Sequence, residues 1–587
     1  TKPDLNLRTQ SINRFLEAFS ADNPFSEEDD AMRSDALASL TNLELVVTAS
    51  NAVAKRDPSA IAELIPAGNF GKLPPVASIE ISPDGKKIVM LRAMEDTYHA
   101  VVMDIETGKS KLVMAAAPEK FLFNWCKFAN NTRVICQIAS YGVVTTDNLL
   151  LRRYVDGRTI FTRLVAADID GSNVLQLVPK TKPFGLDRRQ KQEWNAPNQA
   201  SIVSWLPGDD DHILMQLARE DRIWPSVYKL NINNNKMKRV IKFRPTILRW
   251  KTKDKGELMA AFGYRDLKPI AFSIDRKKVR EININHLIGA NDPVPLAVAA
   301  DNKSIWVSAS NGEDTMGIHR ISLANAEVLE TLYHDPDYDV THLFLDPLTK
   351  EPVASRVIRE GFGYHWYDLE FEKQFIDVSA NLPGTPSHVE VVSNSKDINR
   401  LILYSEGNGT QPGYYLYDRK ERSVVSFLKL YGDVGPIKDL KAISYVSRDG
   451  VSIPAYLSLP TNENSSPFPT IILPHGGPWA RDTDRFDYWV QFFHSRGYAV
   501  LKPNFRGSTG YGDRYMVAGF QQWGQLMQDD VIDGLGWMIE QGYTDPDRAC
   551  IVGGSYGGYV AGVAAYKSPN LFRCAVSFAG VANLDDL

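Results

Sequence analysis

The sequence predicts two architectures in tandem: a radial array of small antiparallel sheets, then a mostly parallel sheet with helices on both faces. Three observations lead there. Between about residues 76 and 430, short β-rich runs broken by turn residues recur in a loose unit of roughly 40 to 60 residues. After about residue 437, buried apolar strands alternate with helical stretches. The chain has 587 residues, well beyond the roughly 250 to 300 at which one hydrophobic core stops growing, so two large domains are expected.

Residues 1–68 precede both patterns and read as a helical N-terminal extension. Ser11-Ile12-Asn13-Arg14-Phe15-Leu16-Glu17-Ala18-Phe19 has helical apolar spacing, and Ser34 to Ala54 is rich in Ala and Leu. Packing on the body is its expected role, ahead of covering an entrance or mediating oligomers.

Residues 69–436 read as a β-propeller of about seven blades. One unit contains Ile81-Ser82-Pro83-Asp84-Gly85-Lys86-Lys87-Ile88, then a strand ending Val101-Val102-Met103-Asp104, then the turn Glu106-Thr107-Gly108. Val165-Ala166-Ala167-Asp168-Ile169-Asp170-Gly171, Val227-Tyr228-Lys229-Leu230-Asn231 and Tyr415-Leu416-Tyr417-Asp418-Arg419 echo it. A four-stranded sheet cannot bury both faces alone, so such units stack around an axis and cover each face with a neighbour. The units near 120–180 and 340–385 are irregular. A two-sheet sandwich is the alternative, but this length of chain suits a propeller.

Hydrophobic content of 44%, charged content of 23% and 33 prolines fit a folded, water-soluble chain rather than a disordered one. A formal net charge of −5 gives no positive field for a phosphate backbone or an anionic membrane, so nucleic-acid binding is not expected. The basic run Arg188, Arg189, Lys191 reads as a solvated loop. No uninterrupted apolar stretch is long enough for a spanning helix, so no membrane partner is expected. Cys126, Cys136, Cys550 and Cys574 show no C-x-x-C spacing and read by default as buried free thiols, with Cys126 and Cys136 placed to share a hairpin. The compartment stays open between cytoplasmic and periplasmic or secreted.

Residues 437–587 carry the chemistry. Thr470-Ile471-Ile472-Leu473, Ala499-Val500-Leu501, Ala549-Cys550-Ile551-Val552-Gly553 and Cys574-Ala575-Val576-Ser577-Phe578 read as buried strands. Gly553-Gly554-Ser555-Tyr556-Gly557-Gly558 satisfies G-x-S-x-G, after a strand and before the helical stretch Tyr559 to Lys567, as a nucleophile elbow requires. Such a turn exposes the serine Oγ, and Gly553 and Gly557 let strand and helix approach. Ser555 is therefore the expected nucleophile of an α/β-hydrolase domain. His475-Gly476-Gly477-Pro478 follows an earlier strand, where a loop supplies one oxyanion donor. The backbone N–H groups of Gly477 and Tyr556 are the expected pair. His475 is a poor candidate for the base, because in this fold the order is serine, acid, histidine.

Between these motifs lie Pro503-Asn504-Phe505-Arg506-Gly507-Ser508-Thr509-Gly510-Tyr511-Gly512, then Trp523-Gly524 and the acidic pair Asp529-Asp530. Three motifs in this order over residues 475–558 resemble the prolyl oligopeptidase family of serine peptidases, most closely its acylaminoacyl-peptidase branch. The resemblance extends over the propeller-like region but not over the N-terminal 68 residues. It implies a propeller capping the hydrolase domain, cleavage of short peptides near their N-termini, and self-association. Arg506 and Asp530 are expected to pair inside the domain.

Between Tyr556 and Leu587 there is no histidine, and the only acids are Asp585 and Asp586, too close to the serine for the triad acid. Cys574 to Phe578 would be left as a bare sheet edge. A further stretch on the order of 100 residues carrying the acid and histidine is expected, on this chain or as a complementing fragment. The expected chemistry is acyl transfer to Ser555 and hydrolysis by water, with the propeller limiting substrate size. Alternatives are an esterase, amidase or isopeptidase on the same scaffold, or a propeller-based binding protein with a dead hydrolase. No motif implies a metal or an organic cofactor.

Overall fold

The computed structural model describes residues 65–144, 157–178, 197–221, 223–253, 255–384, 386–407, 409–435, 437–460 and 466–583. The extension expected over 1–68 lies outside the described residues up to 64. Its last part is the four-residue helix α1 (Ala67–Phe70). The basic run at 188–191 and Asp585 and Asp586 also lie outside. Residues 65–115 and 123–587 form one compact unit. In the other unit, the described residues 116–122 make a turn closed by a bridge between Ala117 and Phe121.

Seven antiparallel sheets follow one another along the chain, over 76–114, 122–176, 202–241, 247–282, 294–333, 342–366 and 388–429. They are the blades of a seven-bladed propeller. The faces of neighbouring blades seal one another. Met215 and Leu230 of blade three pack with Ile135 and Leu164 of blade two, and Phe262 of blade four packs with Ile305 and Val307 of blade five. Blade six has three strands, followed by helix α2 (Leu369–Ala380). Phe375 and Val378 of α2 are buried with Leu401 and Leu403 of blade seven and against Tyr364 and Trp366 of blade six, which accounts for the irregular pattern near 340–385.

Each blade is complete from consecutive strands, so no strand is shared across the ring closure. Blade seven meets blade one through a few bonds: Ile81 N donates to Ser393 Oγ, Lys396 N to Pro83 O, and Arg400 Nη1 to Gly85 O. Ile402 adds an apolar contact to Ile79, Ile81 and Ile88.

Local chemistry shapes the blade turns. In Ser82-Pro83-Asp84-Gly85, Gly85 N donates to Ser82 O at 2.8 Å, Lys86 N donates to Asp84 Oδ1 at 3.1 Å, and Gly85 takes a φ of 72°. Asp104 accepts from Thr107 N at 2.9 Å before Gly108 at φ 66°. Blade seven repeats the first device with Ser395 and Asp397, and blade five uses Asp301, which accepts from Lys303 N and Ser304 N.

The C-terminal sheet has six strands: β1 (Lys441–Val446), β2 (Ser452–Ser458), β3 (Phe468–Ile472), β4 (Ala499–Pro503), β5 (Thr544–Gly554) and β6 (Cys574–Phe578), in the order β1-β2-β4-β3-β5-β6. Pairing is parallel from β4 through β6 and antiparallel on the β1 side. Helix α3 (Tyr488–His494) covers one face, with Val490 among Ile471, Leu473, Val500 and Val552. After the short helix α4 (Asp513–Val517), helices α5 (Leu526–Glu540) and α6 (Tyr556–Lys567) cover the other, with Met527, Val531, Val560 and Ala561 among Ile472, Leu501 and Ile551. β6 pairs only with β5 among the described residues, and all five of its residues are exposed.

The cysteine reading needs correction. Both pairs are disulfide-bonded, Cys126 to Cys136 and Cys550 to Cys574. Cys550 and Cys574 are register partners on β5 and β6, and Cys574 is exposed rather than buried. Parallel pairing brings together strands separated by a whole helix, which no cysteine spacing announces.

Candidate active site

Ser555 is the last residue before α6 and the first after β5, the position the elbow motif requires. Its backbone holds φ 54° and ψ −121°, a region that a residue with a Cβ avoids without outside support. Support comes from its neighbours. Ser555 N donates to Phe578 O on β6 at 2.9 Å, and Ser555 O accepts from Tyr559 N at 3.0 Å. The residue is exposed.

The motif glycines act by leaving space. A Cβ on Gly553 would lie 2.2 Å from Gly557 O, and one on Gly557 would lie 2.1 Å from Pro474 O. The start of α6 is thus pressed against both its own strand and the chain that leads into the His475 loop. A Cβ on Gly476 would sit 3.4 Å from Ser555 Cβ and 3.9 Å from its Oγ, so this loop lies directly over the serine.

Gly477 is exposed and has φ 126°. Neither its N–H nor that of Tyr556 donates to a carbonyl among the described residues, and the Tyr556 N–H belongs to the first turn of a helix, where no internal partner exists. The Tyr556 ring anchors the helix instead. It is 1% exposed, packed on Trp523 at 4.6 Å and Phe505 at 5.3 Å.

His475 is placed to hold the loop. Its ring stacks on Phe505 at 4.4 Å, its Nδ1 lies 2.7 Å from Gly476 O and its Nε2 2.9 Å from Ser508 Oγ. Gly476 O can only accept, so Nδ1 donates to it, while the Ser508 hydroxyl donates its one proton to Phe505 O at 2.7 Å. Desolvation on burial holds the ring below the usual histidine pKa. No acid or histidine is hydrogen-bonded to Ser555 among the described residues.

Beneath the site, Arg506 is buried and forked. It bonds Asp530 through Nε at 2.8 Å and Nη2 at 2.6 Å, and Asp449 through Nη1 at 2.7 Å and Nη2 at 2.9 Å. Asp530 is fully buried. The expected internal pairing is present, and it fixes the turn after β4 to α5.

Sequence reading missed the polar props of the His475 loop. Asn504, fully buried, accepts from Asp482 N at 2.7 Å and donates to Asp482 O at 3.1 Å. Lys502 reaches Asp482 at 3.0 Å and Asp487 at 2.7 Å. Polar residues at the end of a buried strand were the available signal. The segment also meets the propeller. Arg481 donates to Ile358 O and Arg359 O, both at 3.0 Å, and lies 4.1 Å over the Tyr511 ring. Glu406 of blade seven, 2% exposed, accepts from Arg485 Nε at 2.7 Å, Phe486 N at 3.0 Å and Tyr404 Oη at 2.8 Å.

Among the described residues no cluster of three or more metal-ligating side chains occurs, and no helix is long and apolar enough to cross a membrane.

Residues 484–586 match the prolyl oligopeptidase family. Dipeptidyl aminopeptidase BIII of Pseudoxanthomonas mexicana is 26% identical over 95% of this chain and 78% of its own length. Acylamino-acid-releasing enzyme 1 of Oryza sativa subsp. japonica is 30% identical over 23% of this chain and 18% of its own. In fold, a puromycin hydrolase crystal structure matches with a TM-score of 0.59 at 16% identity, over 87% of this chain and 78% of the other.

Proposed function

We propose that this chain, a serine peptidase of the prolyl oligopeptidase family, cleaves short peptides through an acyl-enzyme on Ser555. The observation that carries the reading is the backbone of Ser555, held at φ 54° with its side chain exposed under the Gly476 loop. A buried or merely structural serine has no need of that conformation. Attack by Oγ on the scissile carbonyl requires a histidine base, and the tetrahedral oxyanion would be met by the N–H groups of Gly477 and Tyr556, each worth on the order of 10² to 10³ in rate. Water then releases the acyl group.

By analogy with the Pseudoxanthomonas mexicana dipeptidyl aminopeptidase, peptides with a free N-terminus are the first substrates to try. The propeller, bonded to the hydrolase through Arg481 and Glu406, would exclude folded proteins. The pairing of all four cysteines supports maturation in an oxidising compartment.

Labelling of the purified protein by a fluorophosphonate probe tests the nucleophile. Wild type is expected to label and Ser555→Ala to lose the label with at least about a 10³-fold fall in peptidase rate. Equal labelling of both would overturn the assignment. Peptides free or blocked at the N-terminus, in a series of increasing length, then separate exopeptidase from acylpeptide cleavage.

A further inference from the structure

We propose that the propeller takes part in building the oxyanion hole, through Glu406 and the carbonyls of Ile358 and Arg359, and that Arg481 and Arg485 are positioning residues for Gly477. The inference rests on the assignment of Gly477 as an oxyanion donor.

The chain from His475 to Asp487 has little secondary structure of its own, yet its path is fixed. Its start is held by His475 to Ser508, and its end by Asp487, which caps α3 by accepting from Trp489 N at 2.9 Å. Between these, the hydrogen bonds of Arg481, Arg485 and Phe486 that leave the hydrolase domain go to blades six and seven. Arg481, four residues after Gly477, reaches the carbonyls at the tip of the blade-six hairpin. Arg485 and the Phe486 N–H converge on one Glu406 carboxylate, and Tyr404 completes its bonding. A buried carboxylate that accepts three hydrogen bonds, one of them from a guanidinium, has one position. A Cβ on Gly477 would lie 2.8 Å from Trp479 N and 3.2 Å from Ala480 Cβ, so movement of Ala480 and Arg481 is transmitted to Gly477 by contact. An oxyanion donor must lie within about 3 Å of where the charge develops, and a displacement of about 1 Å at such a site costs on the order of 10²-fold.

The test uses the full-length protein as wild type, Glu406→Gln, Arg481→Met and Arg481→Lys. Four readouts are compared: kcat and KM on a short peptide, affinity for a peptidyl boronate that mimics the tetrahedral state, hydrogen exchange of the amides of residues 476, 477, 479 and 480, and thermal melting. The expected result for Glu406→Gln and Arg481→Met is a fall in kcat of about 10- to 100-fold with KM nearly constant, an equal loss of boronate affinity, faster exchange at 476–480, and melting within a few degrees of wild type. Arg481→Lys restores part of the rate because its ammonium still donates to one of the two carbonyls. Unchanged exchange at 476–480 in both variants would overturn the proposal whatever the rates show. Faster exchange with kcat and boronate affinity unchanged would leave the strap real but sink the role of Gly477, while failure of wild type to label at Ser555 would count against the nucleophile alone.

Discussion

The turn at Gly108 in blade one and the turn at Ser555 both pass through positive φ, but they are held by different means. In the blade, glycine supplies the dihedral and Asp104 bonds the chain three residues on, so the turn is complete within five residues. At the elbow the serine itself carries the strained dihedral, and the glycines, with ordinary φ, supply room. Part of what keeps the elbow in place lies far off in sequence: Phe578 O accepts from Ser555 N, and Pro474 O closes on Gly557. The blades are built from local rules repeated seven times, whereas the site is built from a single set of distant contacts. Damage to a blade turn should therefore stay small, and damage around the elbow should not.

The sharpest contrast is expected from Arg506→Met. It leaves Asp530 in the core without a counter-charge, held only by Ser447 Oγ and the backbone N–H of residue 506, and removing one member of such a pair costs about 3 to 5 kcal/mol. Urea melts of the variant should show that loss, and a loss under about 1 kcal/mol would mean the hydrolase domain is no more dependent on long-range pairs than a blade. Next comes Gly557→Ala, whose new methyl meets Pro474 O at 2.1 Å. Forcing strand and helix apart should cost about 2 to 3 kcal/mol and most of the activity. Gly108→Ala meets nothing within 4 Å and carries only the left-handed penalty of about 1 kcal/mol, with activity unchanged. Equal effects at the two glycines would break the distinction between room and dihedral.

A pH dependence offers a further separation. Burial lowers the His494 pKa to about 4, against an ordinary value near 6.5. Below pH 6.5 the unfolded chain takes up a proton that the folded chain refuses, so stability falls as pH drops from 6.5 towards 4. Melts of His494→Gln across that range should lack this part of the slope, and identical slopes would remove His494 as its source.

The same division explains what could be read in advance. The blades were legible where Asp or Asn recurs beside a β-rich run, as at Asp84, Asp168, Asn231 and Asp418, and such chemistry is local. The motifs that contain Gly476, Gly477, Ser555 and Tyr556 were legible because they follow apolar strands, which the structure places at β3 and β5. Ser555 and the Gly476 loop are brought together as expected. The pairing of Cys550 with Cys574 was not legible, since it depends on which strands become neighbours after an intervening helix. Nor was the grip of Glu406 on Arg485, because residues 79 apart with unremarkable surroundings carry no periodic or motif signal. The three-stranded sixth blade was visible only as an irregularity, the helix that follows it having replaced the expected alternation with i, i+4 spacing at Phe371, Phe375 and Ser379.

The ring closure has a consequence of its own. Because every blade is finished before the next begins, the disc is a split washer threaded once, and the chain enters it at Val76 and leaves it at Lys429 on the two lips of the same cut. Upstream of the cut, Phe70 already rests on Phe492 of α3 at 5.5 Å, so both tethers run from the hydrolase side. The whole disc is therefore one continuous stretch of chain, and every described strand of the C-terminal sheet follows it.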